Sequence, residues 1–343
     1  MSVRDIFTDG QAPIYIIAEI GVNHNGDMDL ALKSVDEAAR SGACAVKFQT
    51  FRSEKLVSKH APKAQYQIQN TMSSNSQLEM LKQLELSFEN FINLQKYCAG
   101  KGIDFLSTPF DEESADFLHS ISIDAFKIGS GDMNNIPFLK QINRYGLPVM
   151  LSTGMADLDE IRAPLAALEN CEVALLHCTS DYPAPLQDVN LAAMETLKRT
   201  YDRITGYSDH TDGIEIAIAA AALGAKIIEK HFTLDRSLQG PDHAASLEPD
   251  QFSAMVKAIR NVEMAKGDGI KRCMPSEEAT RAVARKSLII AGNLPAGHVL
   301  TGADLAVKRP GTGIEPGFYE KLIGRQLMRD MERDELIRWE DLM

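Results

Sequence analysis

The chain lacks the segments that would place it in a membrane or in an oxidising compartment. No apolar run in its 343 residues approaches the roughly 20 that span a bilayer. Residues 1–11 show no basic stretch followed by an apolar core, so no secretory signal peptide is predicted. The five cysteines are odd in number and form no Cys-x-x-Cys pair, which argues against a disulfide framework. We therefore expect a cytoplasmic protein with free, buried thiols.

The chain also lacks the excess of positive charge that a polyanion-binding protein needs. Its formal net charge is −12, from 36 Lys and Arg against 48 Asp and Glu. Nucleic acids and anionic membrane surfaces are therefore disfavoured as partners. An anionic small substrate would require basic side chains concentrated in one place. The hydrophobic fraction of 44% is ordinary for a globular protein and is enough for a core.

Short apolar segments that end in polar residues recur along residues 1–270, with helical segments between them. Strands are predicted at 14–19, 44–49, 104–108, 125–129, 148–153, 172–178, 204–210 and 226–231. Strands that alternate with helices predict a parallel sheet, and eight such units in about 250 residues are typical of a (β/α)8 TIM barrel. A doubly wound open sheet is the alternative. The barrel is favoured because polar groups follow every strand, and only closure brings all of those strand ends to one mouth.

Three segments do not follow this pattern. Residues 271–285 are mixed and charged, and they are predicted to be a linker. Residues 286–343 have short β-type runs and Gly/Pro turns, and they predict a second domain near the lower size limit for independent stability. Residues 50–85 are too long and polar for an ordinary connection, so a lid or a subunit contact is expected there.

Two histidines end neighbouring strands of the predicted barrel. His210 follows Ile-Thr-Gly-Tyr-Ser-Asp, and His231 follows Lys-Ile-Ile-Glu-Lys. Adjacent parallel strands would bring these imidazoles together, which suits a divalent metal with open positions for water or substrate. Glu229 points to the same side of its strand as His231. Mn²⁺ or Mg²⁺ is expected rather than a structural zinc, and a pair of ordinary core or surface histidines is the alternative.

Lys47 and Lys127 lie within apolar strand segments. A lysine at an inward-facing strand end is unfavourable unless an anion neutralises it. On well-separated strands, the two ammonium groups could hold one phosphate from two sides, with Ser and Thr hydroxyls completing its hydrogen bonds. Structural salt bridges with Glu19 or Glu229 are the alternative.

Motifs along nearly the whole chain resemble the sialic acid synthase family. These motifs are Ala-Glu-Ile-Gly-Val-Asn-His-Asn-Gly at 18–26, Val-Lys-Phe-Gln at 46–49, Ser-Thr-Pro-Phe at 107–110, Lys-Ile-Gly-Ser-Gly-Asp at 127–132, Leu-Ser-Thr-Gly-Met at 151–155, His-Cys-Thr-Ser-Asp-Tyr-Pro at 177–183, Gly-Tyr-Ser-Asp-His at 206–210, Glu-Lys-His-Phe at 229–232 and Gly-Pro-Asp at 240–242. Val-Lys-Arg-Pro-Gly at 307–311 resembles the family's C-terminal antifreeze-like (SAF) domain. The resemblance implies a (β/α)8 barrel with that domain attached. It also implies an enzyme that condenses phosphoenolpyruvate with an N-acetylmannosamine-type sugar, and a domain-swapped homodimer in which one subunit's SAF domain covers the other's barrel mouth.

Carried over residue by residue, the resemblance assigns roles at the site. The catalytic positions are Glu19, Lys47, Lys127 and Glu229. The family positions that bind the phosphoenolpyruvate phosphate correspond to Lys47, Thr108, Lys127, Ser130 and Ser152. Those that bind its carboxylate correspond to Ser180 and Ser208. The metal ligands are matched by His210 and His231. The family positions that contact the sugar correspond to Gln49, Asp132, Tyr182 and Asp242. Arg309 corresponds to the arginine that reaches the sugar from the partner's SAF domain.

Two departures from the family pattern and two further stretches bear on which sugar is the substrate. Bacterial sialic acid synthases often carry Glu at the position of Asp132 and Asn at that of Ser180. Residues 242–249 and 307–314 resemble the legionaminic acid synthase branch, whose sugar carries a second acetamido group. N-acetylneuraminate is the first expected product, and N,N'-diacetyllegionaminate, made from 2,4-diacetamido-2,4,6-trideoxymannose, is the alternative. A metal-dependent aldolase or sugar-phosphate isomerase and a non-catalytic sugar-binding protein also stay open.

Overall fold

A computed structural model describes residues 2–64, 67–68, 70 and 75–343. The chain divides into two compact units, Met1–Gly267 and Asp268–Met343. In the described part of the chain, no helix has both the length and the apolar character needed to cross a membrane.

Eight parallel strands form the centre of the first unit. They are β1 (Tyr15–Gly21), β2 (Ala45–Thr50), β3 (Asp104–Pro109), β4 (Phe126–Ile128), β5 (Val149–Ser152), β6 (Val173–His177), β7 (Thr205–Asp209) and β8 (Ile227–His231). Hydrogen bonds join them in the order β3-β2-β1-β8-β7-β6-β5-β4, and β3 and β4 lie side by side at the two ends of this series. The strands therefore follow one another in sequence around a ring, whereas in a doubly wound sheet the strand order reverses near the centre. The predicted (β/α)8 barrel is confirmed.

Helices precede and connect these strands. They are α1 (Val3–Thr8), α2 (Met28–Arg40), α3 (Ser53–Leu56), α4 (Gln77–Leu84), α5 (Phe88–Lys101), α6 (Glu112–Ser120), α7 (Ile136–Tyr145), α8 (Arg162–Ala167), α9 (Ala193–Tyr201), α10 (Glu215–Ala222) and α11 (Pro249–Lys266). Their ends follow local chemistry. The Asp27 side chain accepts the Asp29 and Leu30 N–H groups at the start of α2, and Gly102, with φ of 71°, ends α5.

The alternation of side chains along each strand produces two apolar layers. Outward residues such as Ile16 and Phe48 pack under the helices, and inward residues such as Ile17 and Leu106 fill the barrel. Helix α1 closes the end of the barrel where the strands begin, because its Val3 joins the inward layer. With the interior filled at that end, open space is left at the carboxyl ends of the strands.

The described parts of residues 50–85 pack onto the barrel. Phe51, Met80, Leu81 and Leu84 form a small apolar cluster with Val22, which follows β1. The lid or subunit contact expected for this segment stays a prediction, and residues 65, 66, 69 and 71–74 lie outside the described part of the chain.

The second unit contains an antiparallel pair of strands, β9 (Ser287–Ile290) and β10 (Leu305–Lys308). Helix α12 (Glu278–Ala284) precedes them, and α13 (Tyr319–Leu322) follows. Helix α12 lies in the segment predicted as a linker, because its Glu and Ala residues are good helix formers despite their charged surroundings. The Ala282 carbonyl accepts the Gly311 N–H at 2.8 Å, so this segment is folded into the second unit.

Candidate active site

A cavity of about 210 Å³ at the carboxyl ends of the barrel strands collects most of the predicted site residues. Its lining includes Glu19, Lys47, Gln49, Thr108, Lys127, Ser130, Ser152, Ser180, Tyr182, Ser208, His210, Glu229 and His231. Strand register explains the convergence, because Glu19 pairs with Lys47 on one side and with His231 on the other. Ser208 pairs with Glu229 in the same way. Residues level with each other on parallel strands face the same side, here the barrel interior.

Two lysines, each 3% exposed, surround one carboxylate in this cavity. The Nζ atom of Lys47 lies 2.6 Å from Glu19 Oε2 and 3.9 Å from Glu229 Oε2. The Nζ atom of Lys127 lies 3.6 Å from Glu229 Oε1, so Glu229 stands between the two cations. The ion pairs with Glu19 and Glu229 are therefore formed, and both lysines also face the cavity. The structural salt bridges are thus present, and binding of a phosphate by the two lysines stays a prediction.

Hydroxyl groups complete the surroundings of the lysines. Lys47 donates to Thr108 Oγ1 at 3.1 Å, and Lys127 donates to Ser152 Oγ at 2.7 Å. Ser208 donates to Glu229 Oε1 at 2.7 Å. Ammonium groups flanked by hydroxyls form the kind of donor set that binds phosphate or carboxylate oxygens.

The two buried carboxylates are held in different charge states. Burial raises the pKa of Glu19 to about 7, against the attraction of Lys47 and with added repulsion from Glu229. Burial alone would raise the pKa of Glu229, but Lys127 and Lys47 outweigh it and lower this pKa to about 2. Glu229 is therefore a fixed anion, whereas Glu19 can exchange a proton near neutral pH.

The two histidines lie together at the ends of β7 and β8, with ring centroids 5.6 Å apart. His210 Nδ1 is 2.7 Å from the Thr179 carbonyl oxygen, which assigns the proton to Nδ1 and leaves a lone pair on Nε2, 3.4 Å from Ser208 Oγ. His231 Nδ1 is buried without a hydrogen-bond partner. Burial lowers the pKa of both imidazoles, so both are neutral at neutral pH.

This donor set suits a weakly held divalent ion rather than a structural one. Two neutral imidazoles offer lone pairs, and the described residues contain no group of three or more His, Cys, Asp or Glu side chains in metal-binding geometry. A closed four-ligand zinc site is therefore not formed by these residues, whereas an ion that keeps several water ligands fits. Binding of a metal by His210 and His231, and its identity as Mn²⁺ or Mg²⁺, stay predictions.

An aromatic ring packs against both imidazoles. The Tyr182 ring centroid is 4.2 Å from that of His210 and 5.5 Å from that of His231. Tyr182 precedes Pro183 through a cis peptide bond in the loop after β6. The ring therefore limits how the two imidazoles can turn.

Three predicted sugar contacts are not among the residues that line the cavity. Asp132 ends a short turn, Ser130–Asp132, and accepts the Asn135 side-chain N–H at 3.2 Å. Asp242 is buried, and burial raises its pKa to about 6 against the opposing charge of Lys47. Arg309 belongs to the second unit, where its side chain is exposed. Their roles toward a sugar stay predictions.

The cavity also has lining residues that lie in the quoted motifs but had no predicted role: Phe110, Gly129, Gly131, Met155 and Cys178. All of them follow a strand closely, so their position in the sequence was the available signal. The thiol of Cys178 lies 3.2 Å from Ser130 Oγ. The Gly154 N–H donates to Ser130 Oγ at 2.9 Å, and glycine is required at this position because a Cβ would collide with Ser130, Cys178 and Ser180.

Comparison with known proteins identifies the family of the chain. Residues 34–271 match the NeuB family, and residues 285–343 match the SAF domain. The chain is 45% identical to the N,N'-diacetyllegionaminic acid synthase of Campylobacter jejuni, over 94% of this chain and 98% of the relative. It is 44% identical to the N,N'-diacetyllegionaminic acid synthase of Legionella pneumophila, over 96% of this chain and 94% of the relative.

A solved structure agrees with this assignment. The N-acetylneuraminic acid (sialic acid) synthetase of Leptospira borgpetersenii, crystallised in complex with citrate, matches with a TM-score of 0.71 and 38% identity. The match covers 79% of this chain and 91% of that chain. The chain therefore belongs to the NeuB family of sugar acid synthases and carries a C-terminal SAF domain, as its motifs predicted.

Proposed function

We propose that this synthase condenses phosphoenolpyruvate with 2,4-diacetamido-2,4,6-trideoxymannose to give N,N'-diacetyllegionaminic acid and phosphate. The observation that carries the reaction type is the pair of buried lysines around Glu229, beside two neutral imidazoles. The choice of sugar is supported by 45% and 44% identity to two legionaminic acid synthases, against 38% to the sialic acid synthetase. N-acetylneuraminate, the product expected first from the motifs, is the second candidate, and the sialic acid synthetase structure favours it.

Phosphoenolpyruvate matches the charges of the cavity. Lys47 and Lys127 would bind its phosphate from two sides, with hydrogen bonds from Thr108, Ser130 and Ser152. Ser180 and Ser208 would bind its carboxylate. Both lysines are already held in place by ion pairs with carboxylates. A phosphate that binds them therefore requires little movement of these side chains.

His210 and His231 would hold the divalent ion, Mn²⁺ or Mg²⁺. When bound there, the ion supplies Lewis-acid polarisation of the open-chain sugar's aldehyde oxygen. The sugar itself would be bound by Gln49, Asp132, Tyr182 and Asp242. Arg309 from the SAF domain of a partner subunit in a cytoplasmic homodimer would complete its binding, as the family resemblance implies.

The bond changes follow from these placements. The methylene carbon of phosphoenolpyruvate attacks the aldehyde carbon and forms the new carbon–carbon bond, while the aldehyde C=O π bond breaks and its oxygen takes up a proton from solvent to become a hydroxyl. Water adds to the resulting cationic carbon, and Glu19 accepts its proton and later returns it to solvent. The tetrahedral intermediate then collapses to the ketone: the bond between that carbon and the phosphate oxygen breaks, and the hydroxyl proton leaves with the phosphate. Lys47 and Lys127 stabilise the phosphate that leaves.

The test compares two sugars on the purified protein with phosphoenolpyruvate and Mn²⁺. We expect phosphate release only when an amino sugar is present, and a higher kcat/KM for 2,4-diacetamido-2,4,6-trideoxymannose than for N-acetylmannosamine. A preference for N-acetylmannosamine would support the second candidate. Cleavage of a keto acid to an aldehyde without phosphate release would indicate an aldolase, and sugar binding without turnover would indicate a binding protein.

A further inference from the structure

A buried ion pair lies directly behind the two histidines. Asp209 precedes His210 on β7, and Lys230 precedes His231 on β8. The two residues are register partners, and Lys230 Nζ donates to Asp209 Oδ2 at 2.8 Å. Each is 1% exposed, on the outward side of the strands, where helix α10 packs against β7 and β8. The pair therefore does not line the cavity that holds the histidines.

The same lysine holds the backbone on the far side of His210. Lys230 Nζ also donates to the Thr211 carbonyl oxygen at 2.6 Å. Asp209 Oδ1 accepts the Thr211 N–H at 2.9 Å and the Thr211 hydroxyl at 2.7 Å. The residues before and after His210 are thus joined to each other and to the strand that carries His231.

Stability alone is a weak reason for such a network. Removing a charged pair from water is unfavourable, and well-packed apolar residues in its place often fold as stably or more so. An ion pair whose hydrogen bonds are all formed adds rigidity, since each directional hydrogen bond restrains the distance between the two segments that it joins. Here those segments carry the two imidazoles.

We propose that Asp209 and Lys230 are positioning residues, whose ion pair sets the separation of His210 and His231 for a divalent metal. The pair acts through the backbone and touches neither metal nor substrate. The inference rests on the metal site in the proposed function and adds what holds its two ligands in register. Supporting groups behind a metal site typically change its affinity about 10- to 100-fold when they are removed.

The experiment measures Mn²⁺ binding to the full-length protein by calorimetry, without substrates. The variant Asp209→Asn/Lys230→Met removes both charges and leaves neither unpaired. We expect its Kd for Mn²⁺ to rise about tenfold. The matched control is Tyr15→Phe/Asp104→Asn, which removes a buried side-chain hydrogen bond of 2.6 Å at the start of the strands. The control should lose thermal stability and keep the parent's Kd, so that affinity is separated from stability.

The outcomes distinguish this inference from the proposed metal site. An unchanged Kd in the double variant, with Mn²⁺ bound normally by the parent and lost in His210→Ala, overturns the positioning role alone. A parent that binds no Mn²⁺, or a His210→Ala variant that binds it fully, overturns the metal site and this inference with it. If the double variant does not fold, Thr211→Val provides the test. It removes one hydroxyl contact to Asp209, and an unchanged Kd in that variant also overturns the proposal.

Discussion

At the scale of single residues, the site depends on which buried carboxylate can take up a proton. Glu19 and Glu229 both contact lysines, yet burial dominates at Glu19 and two cations dominate at Glu229. Of these two carboxylates in the cavity, Glu19 is the one with a pKa of about 7. It is therefore the better candidate for the group that activates water.

We expect Glu19→Gln to lower kcat about 10²- to 10⁴-fold, because the amide keeps the shape of the side chain but cannot accept a proton. Steady-state phosphate release measures this change. The matched control is Glu263→Gln at the other end of the barrel, where Glu263 pairs with Arg260 and accepts the Ile14 N–H. Its kcat should equal that of the parent. Near-normal turnover in Glu19→Gln would remove Glu19 from the mechanism.

At the scale of secondary-structure elements, helix α1 closes the barrel end where the strands start, opposite the end that carries the candidate active site. Asp104 Oδ2 accepts the Val3 N–H at 2.8 Å and the Tyr15 hydroxyl at 2.6 Å. One carboxylate thus links the helix to β1 and β3, and the Tyr15 side chain is fully buried.

Asp104→Ala should lower the free energy of unfolding by about 1–3 kcal/mol, because it leaves the buried Tyr15 hydroxyl without a partner. Denaturant unfolding followed by circular dichroism measures the loss. Adding Tyr15→Phe removes the stranded hydroxyl and should recover part of the stability. The kcat of the folded protein should not change in either variant, and a large fall in kcat would contradict the separation of the two barrel ends.

The second unit has its own pH-sensitive element. Hydrogen bonds from His298 and Thr301 lower the pKa of Asp304 to about 2. The pKa of the same carboxyl is higher when the chain is unfolded, so the stabilisation is present above that unfolded value and is lost as the pH falls toward 2. Trp339, the single tryptophan of the chain, packs edge-on against Phe318 with centroids 5.5 Å apart and reports on this unit.

We expect Trp339 fluorescence to show acid unfolding of the second unit below about pH 4, the range in which a free Asp takes up its proton. Asp304→Asn should make the second unit less stable at neutral pH, and its stability should change less on acidification. An acid transition equally steep in parent and variant would contradict a role for Asp304. Asp330→Asn, at an exposed carboxyl that accepts the Ala296 N–H, is the control.

At the scale of the whole molecule, the barrel supplies the site and the SAF domain supplies one predicted sugar contact. Arg309 is exposed in the second unit, and an exposed arginine is available to a partner subunit. If the SAF domain of one subunit covers the barrel of the other, a mixed dimer of a barrel variant and a SAF-domain variant places both defects in one site and leaves its other site intact.

Arg309→Ala should therefore lower activity, mainly by raising the KM for the sugar. Mixing it with Glu19→Gln after subunit exchange should restore part of the activity, because some sites then combine an intact barrel with an intact Arg309. Size-exclusion chromatography with light scattering should give the mass of a dimer, and native mass spectrometry checks the exchange, because the mixed dimer has a mass between those of the two parent dimers. Exchanged dimers that show no restoration would argue against a site shared between subunits.

Much of the fold and the candidate site could be predicted from the sequence, because strand–helix alternation and polar residues at strand ends are local patterns. The eight strands, the barrel and the family followed from them, and the helix that the sequence predicts at 249–266 has the bounds of α11. The sequence also predicts helices at 158–168 and 189–200, but α8 begins at Arg162 and α9 at Ala193. Asp157 accepts the Asp159 and Glu160 N–H groups in a turn, and Asn190 has a positive φ of 47°, so both segments bend before the helix starts.

The sequence by itself determined which residues stand at the strand ends, since a two-residue alternation and a polar end to each strand are properties of neighbouring positions. Only the tertiary structure decided which of them meet and in what charge state. Glu19 and Glu229 look alike in the sequence, but burial raises the pKa of Glu19, whereas lysines on other strands lower the pKa of Glu229. The ion pair between Asp209 and Lys230 likewise depends on strand register, because the two residues become neighbours only when β7 pairs with β8 in that register.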